Sequence, residues 1–313
     1  MALTITVSAA SNKTPSFARN AFPLIIEASP EDTVEDVKRK IQAKIPKFST
    51  SRQRLTQKSE KKPLADDVKV RDVTGFTPGL ELEVKDLGPQ IGWKLLFVIE
   101  YAGPLLIHPF FFYLPRVFYG ADVVHSDLQR MTFAMIEAHF GKRILETLFV
   151  HRFSHGTMPF FNVFKNSGHY HVLSGVFLAY DLYRPVFSAT SPYVQGTIRD
   201  DQLFLWTCAS LWAFFELSNL STHLHLRSLR PPGTRKRAIP TGYGFGLISC
   251  PNYFFETLAW VVICVMTGSW ASYLFTIVGT LQMIVWALKK HAAYKKEFGK
   301  AYPKRKAMIP FII

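Results

Sequence analysis

Cysteine is scarce in this chain of 313 residues, which contains three cysteines and no CxxC pair. A disulfide framework or a zinc ribbon is therefore not expected. The chain also lacks a GxGxxG motif behind a predicted strand, because the glycines of residues 242–246 have another spacing and lead into an apolar segment. Without that motif a Rossmann site is excluded, and any bound dinucleotide has to be held by helices and loops.

Acidic residues are also absent between Leu217 and Phe255, and the charge of the chain is uneven. Up to Gln90 there are 15 Lys and Arg against 12 Asp and Glu, and afterwards 22 against 11 between long apolar segments. This distribution fits the positive-inside rule of membrane proteins better than a nucleic-acid surface. We therefore expect membrane lipid as a partner and no nucleic acid. The start of the chain lacks a charged segment followed by an apolar one, so the first domain is expected to stay in the cytosol.

The first 88 residues have the pattern of a small α+β domain. Leu3, Ile5 and Val7 alternate with polar residues, and a second alternating run covers 22–28, as in a β-hairpin. A helix is predicted to begin after Thr33 and to end near Pro46. The segment TVEDVKRKIQAKI resembles the helix of ubiquitin, and residues 80–84 would supply a closing strand. We predict a ubiquitin-like β-grasp domain that serves as a docking or folding module.

Residues 89–313 are predicted to form a multi-pass α-helical membrane domain with about six spans. Each apolar segment is about long enough to cross ~30 Å of hydrocarbon. The segments lie near residues 91–112, 128–150, 169–187, 201–222, 252–268 and 270–288. The basic residues concentrate in the loops 151–168 and 223–251 and in the tail 289–313, which predicts that these loops and both termini are cytosolic.

Several charged groups interrupt the second of these spans. They are Glu137, His139, Lys142, Arg143 and Glu146. Because isolated charges are costly in lipid, we expect pairs such as Lys142 with Glu146 and His139 with Arg143. The cluster could be purely structural or could form the wall of an active site, and the sequence leaves both interpretations open.

The loop after residue 223 is strongly basic, with Arg227, Arg230 and the run Arg235–Arg237. This charge could reflect membrane topology alone, or it could bind the phosphates of a dinucleotide or of coenzyme A. Tyr253 opens the next span, either as an aromatic anchor at the membrane boundary or as a proton donor. His151 and His155 form an HxxxH motif, which resembles one box of membrane di-iron oxygenases, but the HxxHH boxes of those enzymes are missing.

Two longer stretches carry a resemblance that covers essentially the whole chain. HLHLRSLRPPGTRKRAIPTGYGFGLISCPNYFFE and the terminal YKKEFGKAYPKRKAMIPFII are similar to the catalytic domain of the steroid 5α-reductase superfamily. ETLFVHRFSHGTMP resembles its very-long-chain enoyl-CoA reductase branch, which also has a ubiquitin-like first domain. The resemblance implies NADPH as the cofactor, trans-2-enoyl-CoA as the substrate and the final step of very-long-chain fatty acid elongation. It further implies an endoplasmic reticulum membrane location beside other elongase-cycle enzymes, and no metal.

The resemblance also implies roles for individual residues. The positions that match those around NADPH in the superfamily are Asn219, Arg227, Arg230, Asn252, Tyr294 and Arg305. Lys142 and Tyr253 match the pair regarded as essential in the enoyl branch, with Tyr253 as the acid. Lys142 would then be the cation that stabilises the ionised phenol or contacts the enolate oxygen. Steroid-reducing members have a catalytic Tyr where Phe140 stands and an Asp where His223 stands, so a steroid 5α-reductase is the alternative that these positions disfavour.

Overall fold

The computed structural model describes residues 2–10, 14–74, 79–153, 156–231 and 238–313. It divides into two compact units, the first within residues 1–93 and 155–162, the second within 94–154 and 163–313. The sequence places the domain boundary at residues 88 and 89 instead. The two divisions differ because strand β6 (Gln90–Gly92) pairs with β7 (Thr157–Pro159), so a later segment joins the first unit.

A five-stranded mixed sheet forms the centre of the first unit. Its strands are β1 (Leu3–Ala9), β2 (Leu24–Ala28), β3 (Gln53–Gln57), β4 (Lys62–Pro63) and β5 (Leu80–Asp86). Their order is β2-β1-β5-β3-β4, in which β1 and β5 are parallel and the other pairs antiparallel. The alternating residues Ile5 and Val7 are fully buried, and Leu3 lies opposite Ala28. The predicted hairpin and closing strand are therefore present.

Helix α1 (Val34–Lys44) covers this sheet and confirms the predicted helix. The Thr33 hydroxyl accepts a hydrogen bond from the Asp36 amide, and the Asp36 carboxylate accepts one from the Thr33 amide. This capping box satisfies two amides that the first turn of a helix leaves without partners. Val37 and Ile41, one turn apart, are buried against the strands. A short helix α2 (Val70–Thr74) follows β4.

The second unit is helical. Its longer helices are α3 (Trp93–Tyr113), α5 (Asp127–Leu145), α8 (Gln202–Ser228), α9 (Pro251–Thr267) and α10 (Trp270–Phe298). Shorter helices connect them, α4 (Pro115–Tyr119), α6 (Asn162–Ser167) and α7 (Leu178–Leu182), with π-helical segments at Glu146–Val150 and Gly168–Phe177. α8, α9 and α10 follow one another and pack in sequence order. The main core of this unit joins side chains of α3, α5 and α7 to those of α8–α10.

Three helices in the described residues are long and apolar enough to cross a membrane, and α9 is apolar but only 17 residues long. The candidate spans are α3, α8 and α10 with its short extension to Ala301. Six spans are not confirmed. The predicted second span is not among them because α5 carries five charged residues. The predicted third span begins within an unbroken helical stretch, made of α6, the π-helical segment and α7, which ends at Leu182 and whose first half contains the polar Lys165, His169 and His171.

Candidate active site

Four polar residues of α5 and of the π-helical segment that continues it lie on one side of the helix. His139, Lys142, Arg143 and Glu146 follow the spacing i, i+3, i+4, i+7, which places their side chains on a common face. This face points into the second unit rather than toward lipid, since the side chains of Glu146 and His139 are 1% and 4% exposed. α5 therefore contributes a buried polar wall, as the sequence allowed.

Lys142 is held by three groups at once. Its ammonium lies 2.8 Å from Glu216 Oε2 and donates to Asn219 Oδ1 at 2.6 Å. Glu146 Oε1 is 3.4 Å away, which confirms the predicted Lys142–Glu146 pair. Because an ammonium has three donors, these contacts fix Lys142 within a buried ion cluster. This cluster of Lys142, Glu146, Glu216 and Asn219, formed by α5, its π-helical continuation and α8, is called the lysine cluster below.

Arg143 forms the other cationic part of the wall. Its guanidinium donates to Glu146 Oε2 at 2.5 Å and to the Tyr101 hydroxyl at 2.9 Å. His223 Nδ1 lies 3.1 Å from Glu146 Oε1, so one buried carboxylate serves Lys142, Arg143 and His223. The predicted pair of His139 with Arg143 is wrong, because Arg143 uses Glu146 and Tyr101 and His139 contacts two other carboxylates.

Those carboxylates are Glu216 of α8 and Glu256 of α9. His139 Nδ1 lies 2.7 Å from Glu216 Oε1, and its Nε2 lies 3.4 Å from Glu256 Oε1. The sequence analysis did not assign a role to either glutamate. A signal was available, since each is the only acidic residue of an otherwise apolar helix.

Asn219 and Asn252 join α8 to α9 at the lysine cluster. The Asn219 amide donates to the Asn252 carbonyl at 2.8 Å and to Glu256 Oε2 at 3.1 Å. The Asn252 amide lies 3.4 Å from His223 Nε2. Two predicted cofactor-binding residues, Asn219 and Asn252, are therefore brought together with the predicted catalytic Lys142.

The same region contains a group with metal-like geometry, in which ligand atoms of Glu146, His151 and His223 lie within 4.8 Å of one another. Both oxygens of Glu146 are already shared with Lys142, Arg143 and His223. Burial lowers the pKa of His151 to about 3, helped by Arg143 and His223, so it is neutral at physiological pH. Two adjacent permanent cations oppose a divalent ion here, so we assign no metal to this group.

The positions of the other histidines do not support the interpretation of the HxxxH motif as part of a di-iron site. His155 lies outside the described residues. His169 stacks on Phe275, and His171 Nε2 donates to the carbonyl of Ile99, so neither joins His151 and His223. In the part of the chain that the structure describes, no second histidine group with metal-like geometry occurs.

Tyr253 lies on a neighbouring face of α9. Its ring is 6.3 Å from that of Trp286, and Lys290 Nζ lies 4.9 Å from its centre. Both partners belong to α10. Among the described residues no contact joins Tyr253 to Lys142, because Asn252 and Glu256, rather than Tyr253, face α5 and α8. The proposed pairing of the phenol with Lys142 stays a prediction.

Tyr294 and Arg305 meet through Tyr302, a residue that the sequence analysis missed. Tyr294 stacks on Tyr302 with ring centres 5.5 Å apart, and Arg305 Nε donates to the Tyr302 hydroxyl at 3.0 Å. Arg305 Nη1 donates to the carbonyls of Pro240 and Phe245. Arg305 Nη2 is buried without a partner among the described residues. A buried guanidinium donor left open is suited to a phosphate or carboxylate oxygen of a ligand.

The basic loop is only partly described. Arg235–Arg237 lie outside the described residues. Arg227 is exposed at the end of α8, and Arg230 Nη1 donates to the carbonyl of Arg152 at 2.8 Å. Neither arginine contacts the lysine cluster in the described part of the chain, so their cofactor roles stay predictions.

Phe140 is completely buried in the core beside the cluster. Its ring packs near His139, Trp260 and Tyr101, with ring centres 4.9, 6.1 and 6.5 Å away. The phenol among these neighbours is that of Tyr101, whose hydroxyl accepts a hydrogen bond from Arg143. The position at which the resemblance implies a catalytic Tyr in steroid-reducing members is thus occupied in this chain by an apolar core residue.

Comparisons with known proteins show the family of the chain. Residues 156–313 match the family described as 3-oxo-5-alpha-steroid 4-dehydrogenase. A protein of Dictyostelium discoideum named very-long-chain enoyl-CoA reductase is 40% identical over 292 residues, 91% of this chain and 93% of its own. A Schizosaccharomyces pombe protein, provisionally named an enoyl reductase, is 50% identical over 239 residues, 76% of this chain and 78% of its own. A mouse protein named trans-2,3-enoyl-CoA reductase-like is 31% identical over 301 residues, 94% of this chain and 81% of its own.

Proposed function

This chain belongs to the 3-oxo-5-alpha-steroid 4-dehydrogenase family and, within it, to the enoyl-CoA reductases, and from this membership we propose that it reduces trans-2-enoyl-CoA to saturated acyl-CoA with NADPH. It is a membrane oxidoreductase that acts on enoyl-CoA and needs a reduced nicotinamide cofactor. The observation that carries the proposal is the 40% identity to a very-long-chain enoyl-CoA reductase over 91% of the chain. The reaction would be the final step of very-long-chain fatty acid elongation.

The residues present fit such a cofactor. Arg305 Nη2 is a buried donor without a partner in the described residues, beside the stacked rings of Tyr294 and Tyr302. A positive donor next to aromatic faces can take a phosphate oxygen and a planar ring. We assign cofactor binding to Asn219, Arg227, Arg230, Asn252, Tyr294 and Arg305. When bound, NADPH supplies a hydride for Cβ of the enoyl thioester.

The reaction places negative charge on the thioester oxygen as an enolate, which the protein has to stabilise and protonate at Cα. Tyr253 is proposed to donate that proton. Lys142 is proposed to supply the positive charge for the enolate oxygen, and Glu216 and Asn219 fix its ammonium within the wall of the site. Preorganised charge of this kind needs no rearrangement while the reaction occurs. The apolar helices would accommodate the acyl chain.

The remaining assignments follow from the same membership. We place the protein in the endoplasmic reticulum membrane with both termini in the cytosol, beside other enzymes of the elongation cycle. The first unit has the strand order β2-β1-β5-β3-β4 with one covering helix, which supports a ubiquitin-like β-grasp module for docking or folding.

The test uses the purified full-length chain in detergent micelles and follows NADPH oxidation with trans-2-enoyl-CoA. Tyr253→Phe should lower turnover by about 10²–10⁴-fold, the usual contribution of a general acid, while NADPH binding stays within about twofold. Tyr243→Phe is the matched control, since it removes a nearby exposed phenol that contacts Ser218 instead. Normal turnover of Tyr253→Phe would overturn the assignment of the acid.

A substrate comparison separates the two reactions that the family name allows. The same preparation is offered a 3-oxo-4-ene steroid in place of the thioester. Because Phe140 is a buried core residue without a hydroxyl, we expect NADPH oxidation with the thioester and none with the steroid. The reverse result would make the protein a steroid reductase.

A further inference from the structure

The C-terminal half of α10 contributes a lysine to the surroundings of Tyr253. Lys290 Nζ lies 4.9 Å from the centre of the Tyr253 ring, and Trp286, one turn earlier on α10, has its ring 6.3 Å from the same ring. Ala287, between these two residues, is fully buried and belongs with Tyr253 to one apolar cluster. α10 therefore covers Tyr253 with an aromatic ring and an ammonium.

Lys290 has no carboxylate within 4.0 Å among the described residues, in contrast to Lys142. The ionisable groups around it are Tyr253 and Cys250 at the start of α9 and Tyr294 on the next turn of α10. Lys290 is exposed as a residue, and its ammonium nevertheless lies over the Tyr253 ring. Here the nearest groups that could carry a compensating negative charge are phenols and a thiol.

The depth of Lys290 in the membrane fits a role at the cytosolic boundary. α10 has 29 residues, so at ~1.5 Å per residue it is longer than the ~30 Å hydrocarbon layer. About 20 residues counted from Trp270 cross that layer, so Lys289 and Lys290 lie near its edge. Lys289 and Lys290 are both exposed, but Lys289 forms no hydrogen bond or ion pair among the described residues, whereas the Lys290 ammonium lies over the Tyr253 ring.

We propose that Lys290 is a positioning residue for proton transfer from Tyr253. This inference rests on the proposed reductase function. The C=C bond gains a hydride at Cβ from the nicotinamide, and its electron pair moves into the enolate. When Cα takes the proton of Tyr253, the O–H bond breaks and the phenol keeps the electron pair as a phenolate. The Lys290 ammonium stabilises that phenolate, which then takes a proton from water. Lys290 thus has the role toward the phenol that the sequence suggested for Lys142.

The experiment compares Lys290→Met, Lys290→Arg and the control Lys289→Met in the full-length chain. Methionine keeps the length of the side chain and removes its charge, and arginine restores the charge. We expect Lys290→Met to lower kcat by about 10- to 100-fold, part of the contribution of a general acid, with KM for NADPH within about twofold. Lys290→Arg should recover most of this loss, and Lys289→Met should behave as the original protein.

Two further measurements separate this role from a structural one. The solvent deuterium isotope effect on kcat should rise in Lys290→Met, because proton transfer becomes slower relative to the other steps. In the Tyr253→Phe background, Lys290→Met should cause no additional loss, because no phenolate then forms.

An unchanged kcat in Lys290→Met, or equal losses in the two backgrounds, would overturn the role of Lys290 and leave the proposed reductase function intact. Absence of NADPH oxidation by the original protein would instead overturn the function itself. Loss of NADPH binding in both Lys290 variants would show a structural role, which also contradicts the proposal.

Discussion

Replacing Glu216 by glutamine removes one negative charge from the lysine cluster with almost no change of shape. The carboxylate is 7% exposed and lies 2.8 Å from Lys142 and 2.7 Å from His139. In Glu216→Gln the Lys142 ammonium keeps Asn219 and the more distant Glu146, whose oxygens Arg143 and His223 already share.

The expected cost follows from the burial of this pair. Removing one partner of a buried ion pair destabilises a protein by about 3–5 kcal/mol, because a charge stays buried without compensation. Since glutamine still offers hydrogen bonds, we expect about 3 kcal/mol in the free energy of unfolding. For a unit of this size such a change lowers Tm by roughly 6–12 °C.

Thermal unfolding in detergent micelles measures this change, with Asp122→Asn as the control. Asp122 also pairs with an arginine, Arg116, but on the surface, so its variant should keep Tm within about 2 °C. The double variant Lys142→Met/Glu216→Gln should lose at least about 1 kcal/mol less than the sum of its single variants. A Tm of Glu216→Gln equal to that of the control, or strict additivity, would refute the buried ion cluster.

Two other results are expected. In the first unit, burial alone would raise the pKa of Asp86, but hydrogen bonds from Arg52 and the Gly88 amide hold it below its usual value. The stabilising contribution of Asp86 is therefore complete above the ordinary Asp pKa of about 3.9. It is lost as the pH falls through the lower pKa of the folded state. Hydrogen exchange of this unit should show acid destabilisation, and this destabilisation should be weaker in Asp86→Asn. In the second unit, Arg305→Met should weaken NADPH binding by about tenfold or more in a titration of cofactor fluorescence, because a charged hydrogen-bond donor is lost, while Lys304→Met should not. Equal effects of the two substitutions at 304 and 305 would contradict the cofactor role.

The local structure of the first unit could be predicted because its signals are local. The alternation of apolar and polar residues predicted β1 and β2. Thr33, followed by apolar residues at helical spacing, predicted α1. All three elements occur where these patterns placed them. The addition of β7 to this unit could not be predicted, because pairing between residues 90–92 and 157–159 depends on distant segments rather than on neighbouring residues.

The sequence predicted some residues of the candidate site but not their partners, among them Glu216, Glu256 and Tyr302. The sequence singled out Lys142, Asn219 and Asn252, and the structure brings these three together. It could not show that Tyr253 turns toward α10, because that depends on which face of α9 packs against which helix. The length of the apolar segments also overestimated the number of spans. The buried charges of α5 need protein partners rather than lipid, so this helix is not counted as a span.

Isotope labelling of the product tests the reductase proposal most directly. The purified chain is given trans-2-enoyl-CoA and NADPH deuterated on its transferable position, first in H₂O, and then unlabelled NADPH in D₂O. We predict saturated acyl-CoA with one deuterium at Cβ in the first experiment and one at Cα in the second. Recovery of unreduced enoyl-CoA, or deuterium from NADPH at Cα, would contradict hydride delivery to Cβ and protonation at Cα.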